Sequence, residues 1–156
     1  KAGTYKVTFD LYYRSGKKSS RKTIRVYGAS DSAVKSCTFN GKRISYGFTS
    51  AKSGKIKVTM NKGYNLKKVE IGKTRVKKSG KNTSSSIVYK TIKNGQKVTL
   101  STTPYQYGNE TTSITGAYSK YYNTNLAAYT YVRVTYVDKY TKLTDTVTYS
   151  LMKLVA

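Results

Sequence analysis

Apolar and polar residues alternate with a period of two along most of the chain. Residues 4–14 are the first example, and their apolar positions are Tyr5, Val7, Phe9, Leu11 and Tyr13. This period is typical of a half-buried β-strand. The run SGKKSS then turns the chain, and the alternation returns from Thr23 to Tyr27. Residues 4–28 therefore predict a β-hairpin.

The same signals predict further strands along the chain. Strands are expected at 33–39, 55–60, 66–71, 85–92, 96–101, 128–137 and 143–154. Asn40-Gly41, the run NKG at 61–63 and the run DKYTK are expected to turn the chain, and Asn94-Gly95 to close a hairpin between 85–92 and 96–101. No window of a dozen residues has a helical apolar stripe, so the sequence predicts an all-β fold. About ten strands with short turns favour a sandwich or a barrel, and we expect an antiparallel β-sandwich.

The domain organisation has three interpretations. The first treats 1–156 as one β-sandwich domain. Two polar stretches, 73–86 and 104–125, are expected to be loops, and if the first is a linker the chain divides into two small β domains, 1–72 and 87–156. The third follows from the likeness between the hairpin led by AGTY and the segments AYTYVRVTY and TDTVTYSL, about 126 residues later. Residues 1–28 would then be the last hairpin of an earlier copy of a repeated module.

The composition excludes several kinds of chemistry. The chain has no His and a single Cys, Cys37, so it lacks the commonest general base and cannot form an intramolecular disulfide or a cysteine-based zinc site. Zinc enzymes and hydrolases of the Ser-His-Asp or Cys-His type are therefore excluded. The six carboxylates are dispersed, and we expect no catalysis, cofactor or metal. Membrane insertion is not expected either, because no apolar run approaches the roughly 20 residues that span a bilayer.

Positive charge is concentrated in the first two-thirds of the chain. Residues 1–100 contain 25 Lys and Arg against three acidic residues, a net charge of +22, whereas residues 101–156 contain five against three, a net charge of +2. Such self-repulsion favours an anionic partner. Lysines outnumber arginines 24 to 6, which favours loose attraction to a polyanion over base-specific readout.

The basic residues fall into clusters. The predicted polyanion-binding residues are Lys17, Lys18, Arg21, Lys22, Lys67, Lys68, Lys73, Arg75, Lys77, Lys78 and Lys81. The alternative interpretation is that these side chains keep turns and sheet edges solvated and protect a tyrosine-rich protein from aggregation.

Ten of the 17 tyrosines lie between Tyr105 and Tyr149, in the nearly neutral part of the chain. Those in alternating runs are expected to pack in the core or across strands. Those in polar sequence are candidate contact residues for carbohydrate or protein, namely Tyr105, Tyr107, Tyr118, Tyr121 and Tyr122. Because these rings are separated in sequence from the densest charge, the pattern disfavours binding of single-stranded nucleic acid.

Three segments resemble the immunoglobulin-like repeat modules of bacterial surface and secreted proteins. They are AGTYKVTF with KTIRVYG, then GKIKVTMNKGYNLKKVEIG, and then IKNGQKVTL. The resemblance covers about half of the chain. It implies an extracellular or cell-surface, immunoglobulin-like β-sandwich that acts as a spacer, wall-associated or adhesive module without catalysis.

Charge and resemblance together predict a non-enzymatic module whose lysine-rich face attracts an anionic glycan or a cell-wall polymer. The first alternative is a nucleic-acid-binding protein that uses the same charge, with a log affinity that falls linearly with log salt. The second is a subunit of a surface fibre, with an exposed edge strand that its neighbour completes.

Overall fold

The computed structural model describes residues 3–28, 30, 32–45 and 48–155. Within these ranges the chain forms twelve β-strands and no helix, so the all-β prediction is confirmed. The strands are β1 Gly3–Tyr12, β2 Lys18–Gly28, β3 Val34–Phe39, β4 Lys42–Arg43, β5 Ser53–Met60, β6 Tyr64–Ser79, β7 Asn82–Ile92, β8 Lys97–Thr99, β9 Gln106–Thr112, β10 Tyr118–Thr124, β11 Ala127–Asp138 and β12 Thr144–Leu154.

The strands form three antiparallel sheets. β1 and β2 make a two-stranded sheet. Six strands form a curled sheet in the order β10-β9-β7-β6-β11-β12, and four form a smaller sheet in the order β4-β3-β5-β8. The larger sheet combines the middle and the end of the sequence, because β11 pairs with β6 as well as with β12.

The hydrophobic core consists of side chains from the four-stranded and six-stranded sheets. β5 shows the reason, since Ile56 and Val58 are buried while Lys57 between them is exposed, and β11 buries Val132 and Val134 in the same alternating way. The buried cluster comprises Val34, Cys37, Phe39, Ile44, Ile56, Val58, Val69, Ile71, Val98, Leu100, Val132, Val134 and Leu151. Because a fully buried Val or Ile contributes about 1.5–3 kcal/mol, this cluster is the main source of stability.

Two of the predicted hairpins are confirmed. β1 and β2 pair as the alternation of residues 4–28 predicts, and β11 pairs with β12 across the DKYTK turn. The Asn40-Gly41 turn joins β3 and β4, and both residues have the positive φ, 49° and 81°, that a two-residue hairpin turn needs.

The prediction that Asn94-Gly95 closes a hairpin is wrong. β7 pairs with β6 while β8 pairs with β5, so this turn carries the chain from one sheet to the other. The Asn94 side chain acts as a strand neighbour for β5, because its amide donates to the Val58 carbonyl at 2.9 Å and its carbonyl accepts from the Val58 amide at 2.8 Å. A local turn signal does not specify which sheet the next strand joins.

The prediction of two loops is also wrong, because both stretches are largely strand. Residues 73–79 belong to β6 and 82–86 to β7, with Gly80 turning the chain at a φ of 56°. The region 104–125 contains β9 and β10. β10 is exposed along its whole length, and the inner positions of β9 carry Gln106, Gly108 and Glu110, so neither strand has the apolar alternation that identifies a half-buried strand. The division of the chain into domains stays a prediction.

Candidate anion-binding groove

A groove of about 470 Å³ lies at one end of the six-stranded sheet, where the β6-β7 turn meets the β9-β10 hairpin. Three lysines and two tyrosines line it, namely Lys78, Lys81, Lys120, Tyr121 and Tyr122. Both kinds of residue selected from the sequence, basic and aromatic, therefore meet on one surface.

The groove depends on how β9 is attached to β7. In backbone register the two strands meet at one point, Thr83 opposite Gly108. The Ser85 hydroxyl strengthens this junction, since it accepts from the Gln106 amide at 2.9 Å and donates to the Gln106 carbonyl at 2.8 Å. Tyr122 lies across Gly108, where a Cβ atom would come within 2.6 Å of the ring. Glycine is therefore required for this ring to occupy the groove.

Glu110 neutralises one of the three lysines. Lys120 Nζ lies 2.9 Å from Glu110 Oε1, and this hydrogen bond, followed by one from Tyr118, lowers the pKa of Glu110 below its usual value. The same contact raises the pKa of Lys120. Within the described ranges Lys78 and Lys81 form no ion pair. The groove is therefore left with uncompensated positive charge.

Further cations lie on the other face of β6 from Lys78. Alternation along the strand places Lys73, Arg75 and Lys77 together, about 6.6 Å apart from one Cα atom to the next, and we call these three residues the basic row. The row continues the face that carries the core residue Ile71. None of its members is in an ion pair with a described acidic residue.

The other predicted polyanion-binding residues lie elsewhere. Lys17, Lys18, Arg21 and Lys22 belong to the β1-β2 hairpin, and Lys67 and Lys68 lie near the start of β6. Three of these cations are paired: Lys18 and Arg21 lie 3.0 and 2.7 Å from Asp10, and Lys68 lies 2.9 Å from a second carboxylate, Glu70. The structure brings only Lys78 and Lys81 of the predicted set beside tyrosines in the groove.

The five candidate contact tyrosines are all exposed but have different neighbours. Tyr121 and Tyr122 line the groove, and Tyr118 lies close enough to Glu110 beside it to help lower the pKa of that carboxylate. Tyr107 meets Tyr121 edge-on, with ring centroids 6.0 Å apart, while Tyr105 precedes β9. The expectation that tyrosines and lysines are separated is wrong here, because the pairing of β7 with β9 brings residues 78–81 beside 121–122.

Sequence reasoning missed Lys120, Asn109 and Glu110 as lining residues. A signal existed for Lys120, which directly precedes Tyr121 in the chain. Glu110 had no such signal, since the partner of an isolated acidic residue in polar sequence can be identified only when the strand register is known. The β9-β10 register places Lys120 opposite Glu110.

The remaining chemistry of the described residues is limited. No group of three or more His, Cys, Asp or Glu side chains in those ranges is arranged to hold a metal ion. Nor does that part of the chain contain a helix long and apolar enough to cross a membrane. Cys37 is buried, and burial raises the pKa of its thiol to about 12. The thiol is therefore protonated at neutral pH and packs as a small apolar group.

Comparison with known proteins gives no match to the chain among family models, curated proteins or solved structures. The function has therefore to be inferred from the geometry and charge of the chain itself.

Proposed function

We propose that the chain is a non-enzymatic, extracellular module of the immunoglobulin-like β-sandwich type that binds an anionic glycan or a cell-wall polymer. The observation that carries this proposal is the concentration of cations at the free end of the β6-β7 hairpin. The basic row occupies one face, Lys78 and Lys81 line the groove, and none of the five has an ion-pair partner among the described residues. The inner part of β6 is anchored in the core by Val69 and Ile71.

The basic row and the groove lie on opposite faces of β6, so a linear polyanion that passes around the end of the hairpin suits this arrangement better than a small anion. Successive cations of the basic row are spaced along one line, so a polymer that carries repeated anionic groups can contact them in turn. Lysine acts as a flexible point charge and tolerates sulfate, phosphate or carboxylate alike. Tyr121 and Tyr122 add exposed ring surfaces beside Lys78 and Lys81, where a sugar ring can pack.

Retention on immobilised heparin across a salt series tests this proposal. Lys78→Gln with Lys81→Gln removes two cations from the groove. We expect earlier elution and a slope of log affinity against log salt that is smaller by about 1.4, if each cation contributes about 0.7 as it does on a single-stranded polyanion. The matched control is Lys55→Gln with Lys57→Gln, which removes the same charge from the exposed face of β5 and should leave the slope near its original value.

Equal shifts in the two double variants would mean that retention follows total charge, and would refute the groove as the site. Retention that does not depend on salt would contradict the electrostatic mechanism itself. Tyr121→Ala with Tyr122→Ala separates the aromatic contribution, because it should weaken retention without changing the salt slope.

The presence of lysines and tyrosines in one groove also favours a second function, the binding of single-stranded nucleic acid. Bases stack on exposed rings while phosphates pair with neighbouring lysines. If this is the function, tyrosine fluorescence should be quenched by a single-stranded oligonucleotide, and Tyr121→Leu with Tyr122→Leu should reduce the quenching. Heparin has no aromatic groups and should bind without such stacking.

A further inference from the structure

The β1-β2 hairpin has an apolar face that is open to solvent. The face consists of Val7, Phe9 and Leu11 on β1 with Ile24 and Val26 on β2, and each of these residues is 40–49% exposed. A lone two-stranded hairpin is only marginally stable in water. An uncovered face of this size on such a hairpin therefore indicates that a covering element belongs beside it.

A similar hairpin occurs a second time in the chain, as β11-β12. Three of its cross-strand pairs correspond to pairs of β1-β2 in one consistent register. The matching pairs are Val7–Ile24 with Val134–Val147, Thr8–Thr23 with Thr135–Thr146, and Tyr5–Val26 with Val132–Tyr149. In the last pair, Tyr and Val have changed strands, which conserves the summed volume on that face.

The two hairpins differ in what covers their equivalent faces. Val134 is fully buried, at 0% exposed, whereas its counterpart Val7 is 43% exposed. Val132, Val134 and Leu151 belong to a cluster with side chains of the four-stranded sheet, such as Ile56 on β5. The apolar residues are thus present in both hairpins, and the covering sheet lies against only one of them in the described ranges.

Charge disfavours a second copy of the chain as the missing cover. The hairpin has seven basic residues and one acidic residue between positions 3 and 28, and the whole chain carries +24. Two such copies repel each other in solution. A covering sheet on the same polypeptide is covalently linked to the hairpin and is therefore present at a high effective concentration. Two separate chains then do not have to associate against their charge repulsion.

We propose that β1-β2 is the closing hairpin of a preceding repeat, and that the apolar inner face of that repeat's own four-stranded sheet covers it. The preceding sheet would be of the same kind as β4-β3-β5-β8. Each hairpin would then complete the repeat before it, as β11-β12 completes the sheets that follow β2.

The opposite face of the hairpin contacts the turn between β11 and β12. Tyr27 stacks on Tyr140 with ring centroids 4.3 Å apart, and the Thr4 hydroxyl lies 3.5 Å from the Tyr140 hydroxyl. Thr4 and Tyr27 are directly opposite each other and lie on the face away from Val7. The hairpin would therefore contact one repeat through each face and act as a joint between them.

The test adds a second copy of residues 30–127 directly before Lys1, which supplies the strands β3 to β10 upstream of the hairpin. Hydrogen exchange of the β1-β2 backbone amides is then compared between the original and the extended chain. We expect exchange at least about 100-fold slower in the extended chain, because the hairpin then opens only together with the added core.

Two matched variants make the result specific to the apolar face. Val7→Gln with Ile24→Gln should abolish the slowing in the extended chain while leaving the unfolding midpoint of the original chain unchanged. Thr8→Gln with Thr23→Gln, on the opposite face, should preserve the slowing.

A third variant allows for imperfect fit between the hairpin and the added strands. Gly3 and Gly28 stand where β11 and β12 carry Thr130 and Leu151, so Gly3→Thr with Gly28→Leu fills the two gaps in the extended chain. Absence of slowing with and without this change would overturn the proposal. Two other results would also overturn it. One is slowing that survives Val7→Gln with Ile24→Gln in the extended chain. The other is sedimentation of the original chain as a dimer that Val7→Gln with Ile24→Gln dissociates.

Discussion

The hairpins β1-β2 and β11-β12 share three similar cross-strand pairs but have opposite surroundings. In both, alternation places valines on one face, but Val134 is fully buried under the four-stranded sheet while Val7 is exposed. Pairing is a local property of two strands joined by a turn, whereas burial needs a second layer that comes from elsewhere in the chain. The comparison shows that an apolar period of two identifies the face of a strand that needs burial, but does not identify the sheet that buries it.

The largest difference between the hairpins should appear when a charge is placed on each apolar face. Val134→Lys puts an unpaired ammonium in the core and should lower the free energy of unfolding by about 4 kcal/mol or more. Val7→Lys places the same group in solvent and should change it by less than about 0.5 kcal/mol. Urea unfolding measures both. Similar losses would mean that β1-β2 is packed as tightly as β11-β12.

A second matched pair concerns a threonine hydroxyl in each hairpin. The buried Thr130 Oγ1 accepts from the Ser101 amide at 2.7 Å, so Thr130→Val leaves that amide without its acceptor and should cost about 1–3 kcal/mol. In β1 the Thr8 hydroxyl bonds the exposed Thr23 hydroxyl at 2.9 Å, and Thr8→Val should be nearly neutral because both groups are solvated. Hydrogen exchange at Ser101 provides a local check, and an unchanged rate in Thr130→Val would contradict the assigned role.

The acidic residues extend the comparison to pH. A hydrogen bond from Arg133 Nε at 2.9 Å is the main reason that the pKa of Glu70 is lowered, and Lys68 adds to it against the opposing effect of burial. A carboxylate with a lowered pKa in the folded state stabilises the protein above its ordinary pKa, 4.5 for Glu, and this contribution is lost as the pH falls from there through the lowered value.

Glu70→Gln should therefore lower stability by about 1 kcal/mol at pH 7, since Arg133 and Lys68 remain partly exposed, and should flatten the acid side of the pH profile. Asp10 in the β1-β2 hairpin also has a lowered pKa, chiefly because of Arg21, but it is paired at the surface. Asp10→Asn should leave stability almost unchanged. Urea unfolding between pH 2 and 7 compares the stability of the two variants. An unaltered dependence of stability on pH in Glu70→Gln would contradict the buried ion pair.

The smallest effect is expected where the two hairpins touch. Stacking of Tyr27 on Tyr140 should contribute a coupling energy of about 0.5 kcal/mol, because both rings lie near the surface. A double-mutant cycle with Tyr27→Leu and Tyr140→Leu measures this coupling. Additive losses would mean that the stacking does not hold β1-β2 in place.

Local signals predicted the two long hairpins and the Asn40-Gly41 turn well, because side-chain alternation and positive φ act within a few residues. They failed at Asn94-Gly95, whose side chain binds Val58 on a strand 36 positions earlier. They also failed at the outer ends of β6 and β7 and at β9 and β10. β10 is exposed along its whole length, and the inner positions of the other segments are largely polar, such as Thr83, Ser85 and Gln106, so no apolar stripe marks them.

The candidate site shows the same limit. The lysines and tyrosines were recognisable as separate groups, since each follows from residue type and local context. Their meeting in one groove depends on Thr83 lying opposite Gly108, and on Tyr122 lying over a residue without a side chain. Neither contact leaves a pattern in the sequence, because the partners are more than 10 residues apart and the pairing is a matter of register.

Residue order alone is thus enough to specify an all-β chain, the faces of its half-buried strands and an excess of positive charge. Three features required the folded chain: which sheet each strand joins, which lysines meet tyrosines, and which of two similar hairpins is buried. The physical reason is one of range. Alternation, turn geometry and charge are properties of neighbouring residues, whereas burial and strand partnership are decided by which apolar faces exclude water together.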